Sequence, residues 1–347
     1  MTPALRIISP GLSTTIQDVG RSGFQRLGVS VSGALDLVSL HAANALAGNP
    51  GNTGALEALY VGPTFAVDTD DTRLAFAGAD AVIEILDDAD ARGGEIIPTM
   101  RSVRVRRGQV IRVGSLKNGA TLYIAVEGGF AVAPALGSVS TDSRGRMGGW
   151  QGRPLLEGDV IPLRRATASD RDEYLIDGLD LAAPRRFRAV LGPQSDNFSD
   201  QEIERFFASE YTMSAGSNRM GMRLEGQAIG HLRGFNIVSD AIATGSIQVP
   251  GSGQPIVLLA DHQTTGGYPK IATVISADLP ALGRLPIGSK VSFAPVTVEE
   301  AAAARRELAA TVDGIAGTMV RLSIPATAVA ERLLECNLIS GVQDAAA

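Results

Sequence analysis

A single cysteine, Cys336, in a chain of 347 residues excludes an internal disulfide and any cysteine-based metal cluster. Histidine is almost as scarce: His41, His231 and His262 are scattered and lack the spacing of metal ligands. There is no basic excess either, and a net charge of −6 argues against nucleic acid as a partner, since phosphate backbones require a basic face. No apolar run reaches membrane-spanning length. The start, Met1 to Ser9, lacks a charged stretch followed by a long apolar one, so no signal peptide is expected and a soluble, cytoplasmic protein is the plain expectation.

The common catalytic signatures are missing as well. No Gly-x-x-x-x-Gly-Lys-Ser/Thr phosphate loop occurs; Gly283 to Lys290 is a near miss whose Gly288 reads better as a turn. No Gly-x-Ser-x-Gly elbow, His-Glu-x-x-His pair or Gly-rich Ser-Ser amidase segment is present. No Met-Lys-Met exists for attaching biotin; Arg219-Met220-Gly221-Met222-Arg223 comes nearest and has no lysine. No cofactor is therefore expected on this chain, and any ATP or biotin in its reaction belongs to a partner.

What is abundant is glycine, with 40 copies, spaced between short Val/Ile-rich runs. That pattern predicts many short strands and turns: Leu56–Tyr60, Arg73–Ala77, Val110–Val113, Leu122–Val126, Phe187–Leu191, Ile256–Ala260 and Ile271–Ser276. Helices are few. Asp36 caps one over Asp36–Ala47, stopped by Gly48 and Pro50. Capping boxes at Ser199–Glu202 and Thr297–Glu300 open two more, and Pro325–Cys336 reads as a fourth. Asn44, mid-helix among apolar residues, reads as a buried amide bonded to a neighbouring loop. The length favours two domains. A charged linker over Arg164–Pro184 gives 1–170, 171–297 and a helical extension over 298–347.

Two polar segments share a chemistry. Ser13 to Gly23 and Asp261 to Lys270 each combine a Thr-Thr step with Gln, Asp, glycines and one cation, and neither has the apolar content expected of a core strand. Gln17, Asp18 and Arg21 lie within five residues, a group able to orient an amide or a carboxylate. Ser32 and Gly33 precede the first helix, where N–H groups can meet an anion. Gly137 to Gly152 is a long Gly-rich loop with Asp142, Arg144, Arg146 and the only tryptophan, Trp150. Arg219 and Arg223 stand four apart in a Gly-rich setting. Lys270 is placed to neutralise an oxyanion, while His262 reads as a hydrogen-bonded structural group more readily than as a proton carrier.

These segments in this order resemble the biotin-dependent carboxyltransferase-like family. The resemblance rests on Gly11 to Gly23, Gly28-Val29, Ser32 to Asp36, Ala43-Asn44, Gly48 to Pro50, Tyr123 to Phe130, Gly137 to Asp142, Gln151 to Leu155, Ser217 to Gly226 and Gln263 to Asp278. The family includes the C subunit of 5-oxoprolinases, proteins labelled allophanate hydrolase subunit 2, the carboxyltransferase region of urea carboxylase and a bacterial antagonist of a sporulation-kinase inhibitor. The resemblance implies a mainly β fold of two cyclophilin-like β-barrel domains with a few short helices. It implies a companion B subunit, plus an A subunit in the case of 5-oxoprolinase, with ATP-dependent opening of 5-oxoproline to glutamate as the reaction. It leaves two alternatives: a carboxyltransferase acting on urea or a related amide with biotin on a partner, and a non-catalytic antagonist of an inhibitor-like B subunit. The candidate catalytic residues are Lys270, Asp18 and Arg219; the candidate substrate-binding residues are Gln17, Arg21, Ser32, Asp142, Gln263, Thr264 and Tyr268.

Overall fold

A computed structural model describes residues 2–91 and 93–322. The helix expected over Pro325–Cys336 lies outside the described residues. The chain is mostly β, as expected. The first half is built on a six-stranded and a seven-stranded sheet, the latter completed by a strand from after the second half. Strict period-two alternation explains their packing. In Asp71–Asp80, Leu74 and Phe76 point into a core shared with Leu5, Ile7, Phe65 and Ile111 of the opposite sheet. Their neighbours Ala75 and Ala77 point outward, with Ala55 and Ala125, beneath helix α1, Leu37–Ala47. Small residues under a helix let it lie close to the strands. Asp36 caps α1 through bonds from the N–H groups of Val38 and Ser39, and Gly48 ends it in the left-handed conformation. Asn44 is buried and donates to the carbonyls of Gly51 and Thr53, so it ties down the loop that follows.

In the second half seven strands, from Phe187–Leu191 to Lys290–Pro295, close into a barrel. Its interior holds Phe187, Tyr211, Ile247, Val257 and Phe293. Helix α2, Asp200–Ala208, supplies Phe206, stacked on Phe293 with centroids 5.1 Å apart. Ser199 accepts from the Glu202 N–H as a cap, but the Glu202 side chain turns to Gly230 and Arg205 instead of closing the box. Helix α3 is Leu279–Gly283. At helix α4, Val298–Gly314, the box between Thr297 and Glu300 is complete.

The stretch expected to be a linker is partly structured. Tyr174–Ile176 adds a strand to the seven-stranded sheet, beyond the boundary expected at residue 170, and Met319–Arg321 pairs with it as the sheet's last strand. Glu173, just before it, pairs with the fully buried Arg73, which also pairs with Glu127. Among the described residues, the segment after α4 thus contains a strand on the first half, so the extension expected over 298–347 is not helical throughout.

The candidate functional site

Alternation in the seven-stranded sheet also builds the site. Ile16 and Leu56 face the inner core, so their neighbours Thr15, Gln17 and Glu57 face outward. Register places Thr15, Glu57 and Tyr123 in one row across three strands. The row is polar and fully covered: Glu57 is 1% exposed and Tyr123 0%. The second barrel covers it. Arg219, just before Gly221–Glu225, and Asp261, just after Ile256–Leu258, are neighbours because the Asp261 N–H donates to the Arg219 carbonyl at 3.0 Å. The Arg219 guanidinium grips Asp261 with both arms, at 2.8 and 3.0 Å, donates to the Gly33 carbonyl at 2.7 Å and pairs with Glu57 across the boundary between the halves. Tyr123 donates to Glu57 at 2.5 Å and accepts from the Asp36 N–H at 2.9 Å. Arg284 forms an ion pair with Asp36 at 2.9 Å.

Burial pulls the Arg219 guanidinium down, but Asp261 and Glu57 outweigh it, so its pKa ends above the usual value. Burial raises the Tyr123 phenol well above its ordinary value, and the neighbouring Glu57 and Asp36 charges add to that. The network therefore sets a phenol held neutral beside a guanidinium that stays charged. Further contacts join the halves: Ser32 N–H to the Ala260 carbonyl at 3.0 Å and Ser30 Oγ to the His262 carbonyl at 2.9 Å. Leu35 packs against the core of the second barrel.

Asp18 organises a second cluster. Its carboxylate accepts from the hydroxyls of Ser138 and Ser140 at 2.5 Å each, from the Val139 N–H at 2.7 Å and from the Gly20 N–H at 2.8 Å. Those bonds fasten the Gly137–Gly152 loop along the edge strand Ser13–Gln17, aided by Thr141 N–H to the Ile16 carbonyl. Gln17 donates to Thr15 and to the Thr141 carbonyl, while Arg21 donates to the carbonyls of Ser140 and Ala135. Burial lowers the Arg21 pKa, against the raising effect of Asp142, Asp18 and Asp261. Asp142 accepts from the N–H groups of Arg144 and Gly145, turning the tip of the loop. The 18–36 segment doubles back through Gly20 and Gly33, both at positive φ; a Cβ on Gly33 would sit 2.8 Å from the Gly20 nitrogen.

Between the halves runs a cleft of about 370 Å³. Leu35, Leu59, Met220, Met222 and Leu282 give it apolar walls, Ser13, Ser217 and Asn218 supply small hydrogen-bonding groups, and Arg144, Arg219 and Asp261 are its charged residues. Such a size and lining suit a small molecule held by a few polar contacts. A second cavity, about 420 Å³, lies on the other side of Leu35 and Leu259, which line both; Ser32 and His41 border it, and α4 supplies Leu308 and Val312.

The sequence candidates thus do not form one site. Gln17, Asp18, Arg21 and Asp142 gather around the Gly-rich loop. Arg219 lines the cleft, and Ser32 lines the second cavity instead. Lys270 is not brought to either. Its Nζ donates to Asp240 at 2.7 Å and to the Ala241 carbonyl at 2.9 Å. Register sets Lys270 level with Gln248 and Ile256, at the start of the strand Ile256–Leu258, whereas Asp261 lies in the turn after its other end. Of the second Thr-Thr segment, only the Asp261–His262 end reaches the boundary between the halves, where Ser30 donates to the His262 carbonyl. Gln263, Thr264 and Tyr268 lie outside the cleft lining: the Gln263 and Thr264 carbonyls bond within the barrel, and Tyr268 is exposed. The central residues Glu57 and Tyr123 were not singled out in the sequence. The signal was a lone carboxylate in Ala55–Leu59, a strand too apolar to tolerate one without a partner.

His262 is fully buried, with Nδ1 2.6 Å from the Gln263 carbonyl and Nε2 3.0 Å from the Thr244 hydroxyl, the pattern of a neutral ring that donates at one nitrogen and accepts at the other. Burial lowers its pKa, as it does that of His41. The unfolded chain then takes up protons first as pH falls below about 6.5, so stability is full above that value and is lost as pH drops toward the folded pKa. Urea unfolding should show stability declining from pH of about 7.5 to about 5. His262→Gln should make that decline shallower, and an unchanged slope would show that His262 is not held neutral.

A family model described as "Carboxyltransferase domain, subdomain A and B" matches residues 27–295. The chain is 39% identical, over 87% of its length and 94% of the other, to a protein of Escherichia coli strain K12 named as the C subunit of 5-oxoprolinase. It superposes on the crystal structure of TTHA0988 with a TM-score of 0.73 at 34% identity, covering 84% of this chain and 56% of that one. The crystal structure of the K. lactis urea amidolyase gives a TM-score of 0.79 at 28% identity, with 94% of this chain matching 21% of the other. This chain therefore spans just over half of the first of those structures and about a fifth of the second. The match to most of the chain, on the same two halves that frame the cleft, makes this protein a member of the carboxyltransferase-domain family with subdomains A and B.

Proposed function

We propose that this chain is the C subunit of an ATP-dependent 5-oxoprolinase, a cytoplasmic complex in which it works with the A and B subunits to open 5-oxoproline to glutamate. The observation that carries this reading is the 39% identity to the C subunit of a 5-oxoprolinase, which extends over 94% of that protein. The cleft agrees with it. Its size suits a five-membered lactam, for which Leu35, Leu59 and Met222 would be the apolar walls and Ser13, Ser217 and Asn218 the proposed partners of the amide. Arg219, with its charge matched by two carboxylates, serves as a fixed wall and not as a mobile proton carrier. Asp18 acts at one remove by holding the loop; Lys270 works at the far end of the barrel. ATP, when bound to a partner, supplies the activation that lactam opening needs. Gly288, in the sequence nearest to a phosphate loop, is a turn glycine at φ +85°.

The likeness to urea amidolyase favours a second reading, carboxyl transfer to an amide with biotin on a partner. Reconstitution separates the readings. The chain mixed with the A and B subunits is expected to give ATP-dependent loss of 5-oxoproline that stops when the chain is left out. A rate unchanged by its omission would refute the assignment, and it would suit an antagonist that merely binds the B subunit. Inhibition by avidin would favour carboxyl transfer.

A further inference from the structure

The charged residues of the cleft are not equivalent. Arg219 and Asp261 are bound to each other, and Arg219 also meets Glu57, so this corner carries two carboxylates for one guanidinium. An incoming anion is repelled there. Arg144 is different. It lines the same cleft, it is exposed, and among the described residues no carboxylate lies within ion-pair distance of it.

Its backbone, in contrast to its side chain, is fixed. The Arg144 N–H donates to Asp142 at 3.1 Å, and Asp142 and Met147 exchange N–H···O bonds of 2.8 and 3.0 Å, closing a tight hairpin. The base of that hairpin is held by the buried Asp18 carboxylate. An ordered loop that carries an unpaired cation to the mouth of an apolar cleft is built to receive an anion, because the ordering cost is met before the ligand arrives. Guanidinium is also the group best matched to a planar carboxylate.

We infer that Arg144 anchors the substrate's carboxylate, and that the site selects small cyclic amides carrying one carboxylate over those without it. The inference rests on the 5-oxoprolinase reading and assigns within it a specificity-determining residue. In the reconstituted complex, Arg144→Ala should raise the KM for 5-oxoproline about 10- to 100-fold, the range for losing a hydrogen bond to a charged group, with kcat changed little. Arg144→Lys should recover part of the loss. The inhibition constant of 2-pyrrolidinone, the same ring without the carboxylate, should be alike in wild type and Arg144→Ala. A KM within twofold of wild type would overturn the assignment. An inhibition constant that rises as far as KM would also overturn it, because the loop and not the charge would then be at fault. Calorimetric titration of 5-oxoproline into the complex reads binding without turnover. Equal affinity in wild type and Arg144→Ala, or no binding to either, defeats the anchor, whereas binding without turnover by the wild type defeats only the reading of function.

Discussion

Replacing Arg219 by alanine is expected to remove about 3–5 kcal/mol of stability, the usual effect of stranding a buried charge. The variant would leave Glu57 and Asp261 facing each other across the boundary with no cation between them. Glu57 has no exposure through which to regain solvent, and it must go on accepting from Tyr123 and the Leu35 N–H. The same change removes the Gly33 contact that ties the second barrel to the 18–36 segment. Urea unfolding of the wild type and variant measures the effect. A double-mutant cycle with Glu57→Gln should give a coupling of at least about 1 kcal/mol, since a neutral amide needs no counter-ion. A loss below about 1 kcal/mol for Arg219→Ala would mean that the network contributes little.

Asp18→Ala is expected to cost about 3 kcal/mol, because it leaves two hydroxyls and two backbone N–H groups without their acceptor in a buried place. Its local effect should be larger than its global one. With its base unfastened, the Gly-rich loop should open more often, and trypsin should cut after Arg144 or Arg146 at least about tenfold faster than in wild type. Mass spectrometry of timed digests locates the cut. Equal digestion rates would show that the loop is held by something other than Asp18. Because Arg144 rides on this loop, Asp18→Ala should also raise the KM for 5-oxoproline, through position and not through contact.

Local chemistry was legible in the sequence and long-range chemistry was not. Asp36, Gly48 and Thr297 announce their helix ends because a cap is satisfied within a few residues. Asn44 could be read as a buried amide because its helix is apolar around it. The edges of Val110–Val113 and Phe187–Leu191 follow from alternation between glycines. Glu57, by contrast, finds its partner at Arg219, 162 residues away, and nothing near either residue announces the other. Lys270 misled for the same reason. Its segment resembles Ser13–Gly23 in composition, but strand register, which depends on Gln248 and Ile256, decides that it faces Asp240. Composition can nominate polar residues; the pairing of strands decides which of them meet.

The pairing of Tyr174–Ile176 with Met319–Arg321 has a consequence for the order of events during synthesis. The whole second barrel is an insert between two adjacent strands of one sheet. A ribosome that has released the first 176 residues has released a sheet whose last position is still vacant, and it stays vacant until residue 321 emerges. The barrel must close in that interval, tethered first at one end and finally at both. Once both ends are fixed, the barrel is joined to the first half by two chain crossings at one sheet edge as well as by the contacts of Arg219 and Ser32, and any widening of the cleft works against all of them.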